Sequence, residues 1–182
     1  MYLYVYQDFQ GGLLRRSETD RLIRQSAGLY AAEASAADET VRDFSHEPVE
    51  RTQKGKPYFP GDPLSFSVSH TGKLWVCLMG RQTMGVDVQK VRRCRMEKIA
   101  ERYYTPDEQA YIQQEGEWGF FQIWARKEAY AKFTGEGMTE KLRLFSTLKD
   151  GHVSFVDFNI MEGVAGACCI RNKEELWIRQ IK

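Results

Sequence analysis

No apolar run in this sequence approaches the ~18 residues that a membrane-spanning helix requires, so no such helix is expected. Cysteine is sparse: Cys77, Cys94, Cys168 and Cys169 form no C-x-x-C pair, and His46, His70 and His152 lie far apart. A zinc site or a disulfide framework is therefore not expected, and the thiols read as reduced and buried. Neither sign of charge dominates, with 26 Lys+Arg against 25 Asp+Glu and a net charge of +1. That balance argues against binding nucleic acid or membrane surfaces through bulk charge, though a local basic patch stays open. The first residues carry no basic segment followed by an apolar signal core, so a cytoplasmic protein is expected. Low-complexity tracts and clear flexible linkers are also missing.

What is present suits an ordinary folded chain. Of 182 residues, 42% are hydrophobic and 28% charged, which fits one domain or two small lobes sharing a core. Aromatics reach 13% and supply bulk for that core. Met1–Tyr6 alternates like a strand. Ser17 to about Ala37 reads as an Ala-rich helix with Leu22, Ile23 and Leu29 as core contacts. Val41–Pro63 is polar and punctuated by Pro and Gly, a long connection with one short extended piece. Leu64–Met79 reads as a hairpin turning at Thr71-Gly72-Lys73. Met84–Gln89 is a further strand, with Val86 and Val88 on one face and Asp87 and Gln89 on the other. A helix is expected over Met96–Tyr103. Thr105-Pro106-Asp107-Glu108 has the capping-box pattern of a second, and Trp118–Phe133 is the strongest helical stretch, stopped by Gly135. Leu142–Leu148, His152–Asp157 and Ala165–Ile170 read as strands, with Asp150-Gly151 as a turn. Leu74–Met79 and Ala165–Ile170 occupy comparable places in a faint internal echo.

Several side chains have the chemistry of a site. Asp87 is either a strand-end carboxylate with a structural partner or a ligand for a divalent cation, with Gln89 two residues along the same face. Glu128 and Lys132 stand four apart on one helix face, the spacing of an ordinary ion pair. Trp124, one turn earlier on that face, implies partial burial, and a buried carboxylate needs a partner. The capping box by itself explains Glu108. Ser69-His70-Thr71-Gly72 offers hydroxyls, an imidazole and backbone N–H groups at a strand end, where phosphate can be gripped. Lys56, between Gly55 and Pro57, reads as exposed.

The order of these segments is more specific than any one of them. Gly55-Lys56-Pro57, then Phe66–Gly72, then Gly85-Val86-Asp87-Val88-Gln89, then the W-x-x-K-E-A-x-x-K run from Trp124 to Lys132, form a series. Tyr103–Glu108 is an aromatic-rich segment between the last two, and Gly135-Glu136-Gly137-Met138 follows the lysine. This series, over about Gly55 to Met138, resembles the 4′-phosphopantetheinyl transferase superfamily, in its larger, monomeric surfactin-synthetase-activating type.

The resemblance implies an α+β fold, a pseudo-dimer of two similar lobes with the active site between them. It implies one transferase domain over 1–182, with pseudo-repeat halves at about 1–84 and 85–182. The implied reaction moves the phosphopantetheine arm of coenzyme A onto a serine of an apo carrier protein (acyl, peptidyl or polyketide), releasing adenosine 3′,5′-bisphosphate. Mg²⁺ is the implied cofactor, on Asp87 and Glu128 with Gln89 as a further ligand. Glu128, Lys132 and Glu108 are the implied catalytic residues. Lys56, Ser69, His70, Thr71 and Lys132 are the implied coenzyme A contacts. Family members often carry D-x-E where this chain has Asp87-Val88-Gln89. That departure favours the alternative, a catalytically impaired module binding coenzyme A or a carrier protein. Carrier contact is expected near Tyr103–Gln114 with Arg102 at its edge, and no nucleic acid or membrane partner is expected.

Overall fold

A computed structural model describes residues 1–37, 41–61, 64–149 and 151–182. The fold is α+β and divides into two compact units. One comprises Met1–Gln82 with Glu174–Lys182, the other Thr83–Lys173. No helix among the described residues is long and apolar enough to cross a membrane.

The first unit holds β1 (Tyr2–Tyr6), α1 (Arg15–Ala36), β2 (Glu50–Arg51), β3 (Pro57–Tyr58), β4 (Ser65–Thr71), β5 (Leu74–Gly80) and the C-terminal β9 (Trp177–Gln180). Its main sheet runs β4-β5-β1-β9. Thr71 opposes Leu74, so Gly72-Lys73 makes the hairpin turn, and Gly72 takes the left-handed φ of 56° that a glycine accepts freely. Tyr4, Trp75, Cys77 and Met79 share a sheet face and bury it with Leu22, Ile23, Ala27 and Tyr30 of α1. Leu29, expected in the core, is exposed. The buried stripe of α1 is centred on Ile23, Ala27, Tyr30 and Ala34, which puts Leu29 at its edge. The long connection holds two short paired strands, β2 and β3, where one extended piece was expected. β9 was not foreseen. It pairs parallel to β1, and the Met1 ammonium meets Glu174 at 2.5 Å just before it.

The second unit holds β6 (Met84–Lys90), α2 (Met96–Tyr103), α3 (Pro106–Thr134), β7 (Ser154–Phe158) and β8 (Val164–Ile170). Its sheet runs β6-β8-β7, antiparallel throughout. α2 matches its expected bounds. The two helices expected after it are one element with a kink at Gly116 (φ 64°, ψ −146°). Gly135 ends α3 in the left-handed conformation. Phe120, Phe121 and Ile123 of α3 form a core with Ala100 and Tyr104. The strand expected over Leu142–Leu148 is instead a 3₁₀ turn, Glu140–Leu144, with Leu144 exposed. Its backbone serves a side chain rather than a ladder, because the Leu142 and Phe145 carbonyls accept hydrogen bonds from the Lys127 ammonium. The expected Asp150-Gly151 turn includes Asp150, which lies outside the described residues. Cys77, Cys168 and Cys169 are buried free thiols as expected, but Cys94 is exposed.

Candidate functional site

Strand alternation puts Gly85, Asp87 and Gln89 of β6 on one face. Their cross-strand partners on β8 are Cys169, Ala167 and Ala165, all small. α3 lies on that face, and Gly85 is where it comes closest. A Cβ built on Gly85 would sit 2.0 Å from the Ala129 carbonyl oxygen and 2.7 Å from the Phe133 amide nitrogen. Farther along, Arg126 and Gln122 of α3 bind the Asp157 carboxylate of β7 at 2.5 and 2.6 Å.

This approach brings Lys132 to the strand. Its ammonium donates to the Val86 carbonyl at 3.0 Å and to Asp87 Oδ1 at 2.7 Å. The Gln89 amide donates to Asp87 Oδ2 at 2.7 Å. Asp87 is thus a buried carboxylate held at both oxygens, its side chain 3% exposed. Glu128 stands one turn before Lys132 and is half-buried. Among the described residues its carboxylate takes part in no hydrogen bond or ion pair. Burial pushes its pKa up to about 7, the Asp87 charge pushes the same way, and Lys132 offsets part of the rise.

The arrangement is a pair of carboxylates on facing elements with one cation between strand and helix. No group of three or more His, Cys, Asp or Glu among the described residues is built to hold a metal. The donor set is nevertheless of hard oxygens, which suits Mg²⁺ with its preference for one or two carboxylates, water and phosphate. The unpartnered Glu128 carboxylate near a second carboxylate is the observation that supports the fit, since a bound cation would stabilise the charged form that burial and the Asp87 charge disfavour.

The elevated Glu128 pKa has a measurable sign. The folded state holds this proton up to about pH 7, while an unfolded glutamate releases it near the ordinary 4.5. Between those values the folded state binds more protons, so stability falls as pH rises. The ceiling on this loss is about 3 kcal/mol, since each tenfold change in proton affinity is worth about 1.36 kcal/mol. Glu128→Gln should therefore be more stable than the parent at pH 8 and equal to it near pH 4.5, in urea melts with chelator present. Parallel pH profiles for the two proteins would refute the raised pKa.

Glu108 does not join this cluster. It is fully buried, and both its oxygens are in use. Oε1 accepts from the Thr147 amide and hydroxyl at 2.7 and 2.8 Å. Oε2 accepts from the Thr105 amide at 2.9 Å and pairs with Lys127 at 2.8 Å. The geometry gives Glu108 a structural role in place of the catalytic one expected for it. Lys127, the first lysine of the W-x-x-K-E-A-x-x-K run, to which the sequence reading gave no role, is its buried counter-ion. A lysine between Ala125 and Ala129 on the packed side of a helix was the available signal.

The other expected contacts lie in the first unit. Lys56 closes the β2–β3 connection, where its amide donates to Thr52 Oγ1 at 3.1 Å. It is half-buried, not exposed, and burial lowers its ammonium pKa. On β4, alternation puts Ser69 and Thr71 on one face and His70 on the other, so they do not form one grip. The His70 ring lies 5.1 Å from that of Phe9. Arg102 is already engaged, 3.3 Å from Glu140 and over the Tyr103 ring.

A family model for the 4′-phosphopantetheinyl transferase superfamily matches residues 83–176, slightly more than half the chain. The chain belongs to that superfamily. The match spans the second unit and so includes Asp87, Gln89, Glu108, Lys127, Glu128 and Lys132. Lys56, Ser69, His70 and Thr71 precede it. Among individual transferases, a 4′-phosphopantetheinyl transferase of Bacillus subtilis is 34% identical over 144 residues, covering 74% of this chain and 59% of the relative. The 4′-phosphopantetheinyl transferase gsp of Aneurinibacillus migulanus is 24% identical over 135 residues, covering 65% and 56%. The transferase Sfp of Bacillus subtilis strain 168 is 32% identical over 107 residues, covering 55% and 47%. The chain thus spans about half the length of these relatives.

Proposed function

We propose that this chain transfers the 4′-phosphopantetheine arm of coenzyme A to a serine hydroxyl of an apo carrier protein. The observation that carries the reading is the Asp87–Lys132–Glu128 cluster, formed by a strand and a helix inside the segment that matches the superfamily. The serine oxygen attacks the phosphorus that bears the pantetheine arm. The bond from that phosphorus to the adenosine bisphosphate oxygen breaks, and adenosine 3′,5′-bisphosphate departs.

Each residue then has a task. The Glu128 carboxylate takes the serine proton, directly or through one water. The Lys132 ammonium anchors Asp87 and places a positive charge beside the departing phosphate. Asp87, Glu128 and the Gln89 amide oxygen are the atoms that would hold Mg²⁺, which neutralises charge accumulating on the pyrophosphate. Glu108 and Lys127 keep α3 in place and touch no substrate. Lys56 and His70 are assigned to the coenzyme A phosphates; Ser69 and Thr71, on the other face of β4, are not part of that grip. The reading takes the protein as a cytoplasmic monomer.

A second reading, a module that binds coenzyme A or a carrier without transfer, is favoured by Gln89. Its neutral amide leaves the site with less negative charge than a D-x-E strand would supply. One mass spectrum separates the two. Apo carrier protein incubated with this protein, coenzyme A and Mg²⁺ should gain one phosphopantetheine. Glu128→Ala should slow the gain at least about a hundredfold, the usual cost of removing one charge-stabilising group. No gain with acyl, peptidyl and polyketide carriers, alongside a coenzyme A-induced thermal shift, would establish the binding module.

A further inference from the structure

The row of the sheet that carries Asp87 holds a second carboxylate. Asp87 of β6 pairs with Ala167 of β8, and Ala167 pairs in turn with Asp157 of β7. Neighbouring strands lie about 4.8 Å apart, so the two aspartates stand about 10 Å from one another across a single methyl group. Each holds a cation of α3. Lys132 meets Asp87 at 2.7 Å. The Arg126 guanidinium meets Asp157 with two hydrogen bonds, at 2.8 Å to Oδ1 and 2.5 Å to Oδ2.

These contacts straddle the helix. Ala129 faces the sheet where α3 comes closest to Gly85. Arg126 and Lys132 stand three residues before and after it, which at 3.6 residues per turn puts them about 60° to either side. Glu128 lies about 100° from Ala129, on the Lys132 flank. Between the two carboxylates the sheet offers only Ala167, so no large side chain at that place interlocks with α3 and resists its rolling. A roll of about ten degrees moves a group about 6 Å from the helix axis by about 1 Å. Misplacing a reacting group by that much can cost about a hundredfold in rate.

Asp157 stands too far from Asp87 to touch the reacting atoms, and both its oxygens are in use. Oδ2 also accepts from the Gln122 amide at 2.6 Å, and Gln122 accepts in turn from the Tyr111 hydroxyl at 2.8 Å. The carboxylate thus reaches α3 on both sides of its kink at Gly116. The Arg126 and Asp157 side chains are 18% and 28% exposed, so the pair itself adds little to stability.

We infer that Asp157 is a positioning residue for the Asp87–Lys132–Glu128 cluster: through Arg126 it sets the roll of α3 and so the place of the Glu128 carboxylate. This rests on the transferase reading, in which that carboxylate takes the serine proton.

Asp157→Asn keeps the shape of the side chain and removes its charge. Transfer to an apo carrier protein, followed by mass spectrometry, should show kcat lowered about tenfold to a hundredfold. Coenzyme A KM should stay within about twofold, and Tm should fall by no more than a few degrees. Arg126→Gln should reproduce the loss, and the double variant should lose no more than either alone. In a Glu128→Ala background, Asp157→Asn should cost nothing further, because the group it places is gone. Crystal structures of the parent and of Asp157→Asn should show the Glu128 carboxylate displaced by about 1 Å or more. Parental kcat in Asp157→Asn, or a loss that multiplies with that of Glu128→Ala, would overturn the positioning role. So would a loss of kcat seen only where the variant unfolds. A parent that transfers to no carrier would sink the transferase reading alone. The two crystal structures would then decide the positioning role, and an unmoved Glu128 carboxylate would overturn it.

Discussion

Lys127→Met should cost about 3–5 kcal/mol of stability, because it strands a buried carboxylate. The Lys127 side chain is 0% exposed, as is that of Glu108, its partner at 2.8 Å. An ammonium has three donors, and each is used: on Glu108, on the Leu142 carbonyl and on the Phe145 carbonyl. Methionine keeps the aliphatic volume and removes the charge, so lost packing is not what the variant reports. Urea melts should show a lower midpoint with unchanged slope. The double variant Glu108→Gln/Lys127→Met should recover part of the loss, since no charge is then left buried. A single-variant cost below about 1 kcal/mol would mean that the pair is hydrated and that α3 does not depend on it.

This pair bears on function through position. Glu108 at the start of α3 holds Thr147, and Lys127 near its end holds residues 142 and 145. The two therefore tie both halves of a kinked helix to one loop. Glu128 and Lys132 follow Lys127 on the same helix, so their approach to Asp87 is set by this anchorage. Lys127→Met should consequently lower transfer even at temperatures where it stays folded.

How much of this was readable beforehand depended on how local the cause was. Alternation in Met84–Gln89 places Asp87 and Gln89 together, and the capping box marks the start of α3. Both are consequences of residues a few positions apart. The Asp87–Glu128–Lys132 association was implied by resemblance, not by pattern. The failures share a different origin. Leu142–Leu148 alternates like a strand, yet Lys127, well before it in the chain, claims its carbonyls. β9 finds its partner β1 at the opposite end of the chain, a pairing no local window contains. Leu29 is exposed because burial on α1 follows the sheet beneath it rather than its own apolarity.

Gly85→Ala is expected to do the greatest damage for the smallest change in mass. A glycine inside a strand often marks a close backbone approach, and here the approach is that of α3. The added methyl would lie 2.0 Å from one backbone atom of the helix and 2.7 Å from another. Neither atom belongs to a side chain that can rotate away, so the helix itself must move. Overpacking of side chains costs about 1–3 kcal/mol, and a backbone collision should exceed that range. Gly85→Ala should therefore be recovered in low soluble yield or with a Tm lowered by about ten degrees or more, as a loss beyond about 3 kcal/mol produces in a unit of this size. Any folded fraction should also transfer poorly, because a displaced helix withdraws the Lys132 ammonium from the Val86 carbonyl and from Asp87. A variant with parental Tm and parental kcat would show that α3 stands farther from β6, and the Lys132–Asp87 contact would then lack the close approach on which it depends. Loss of kcat at parental Tm would separate the two effects: the helix would then have shifted at little cost to the fold while losing the 2.7 Å contact between Lys132 and Asp87.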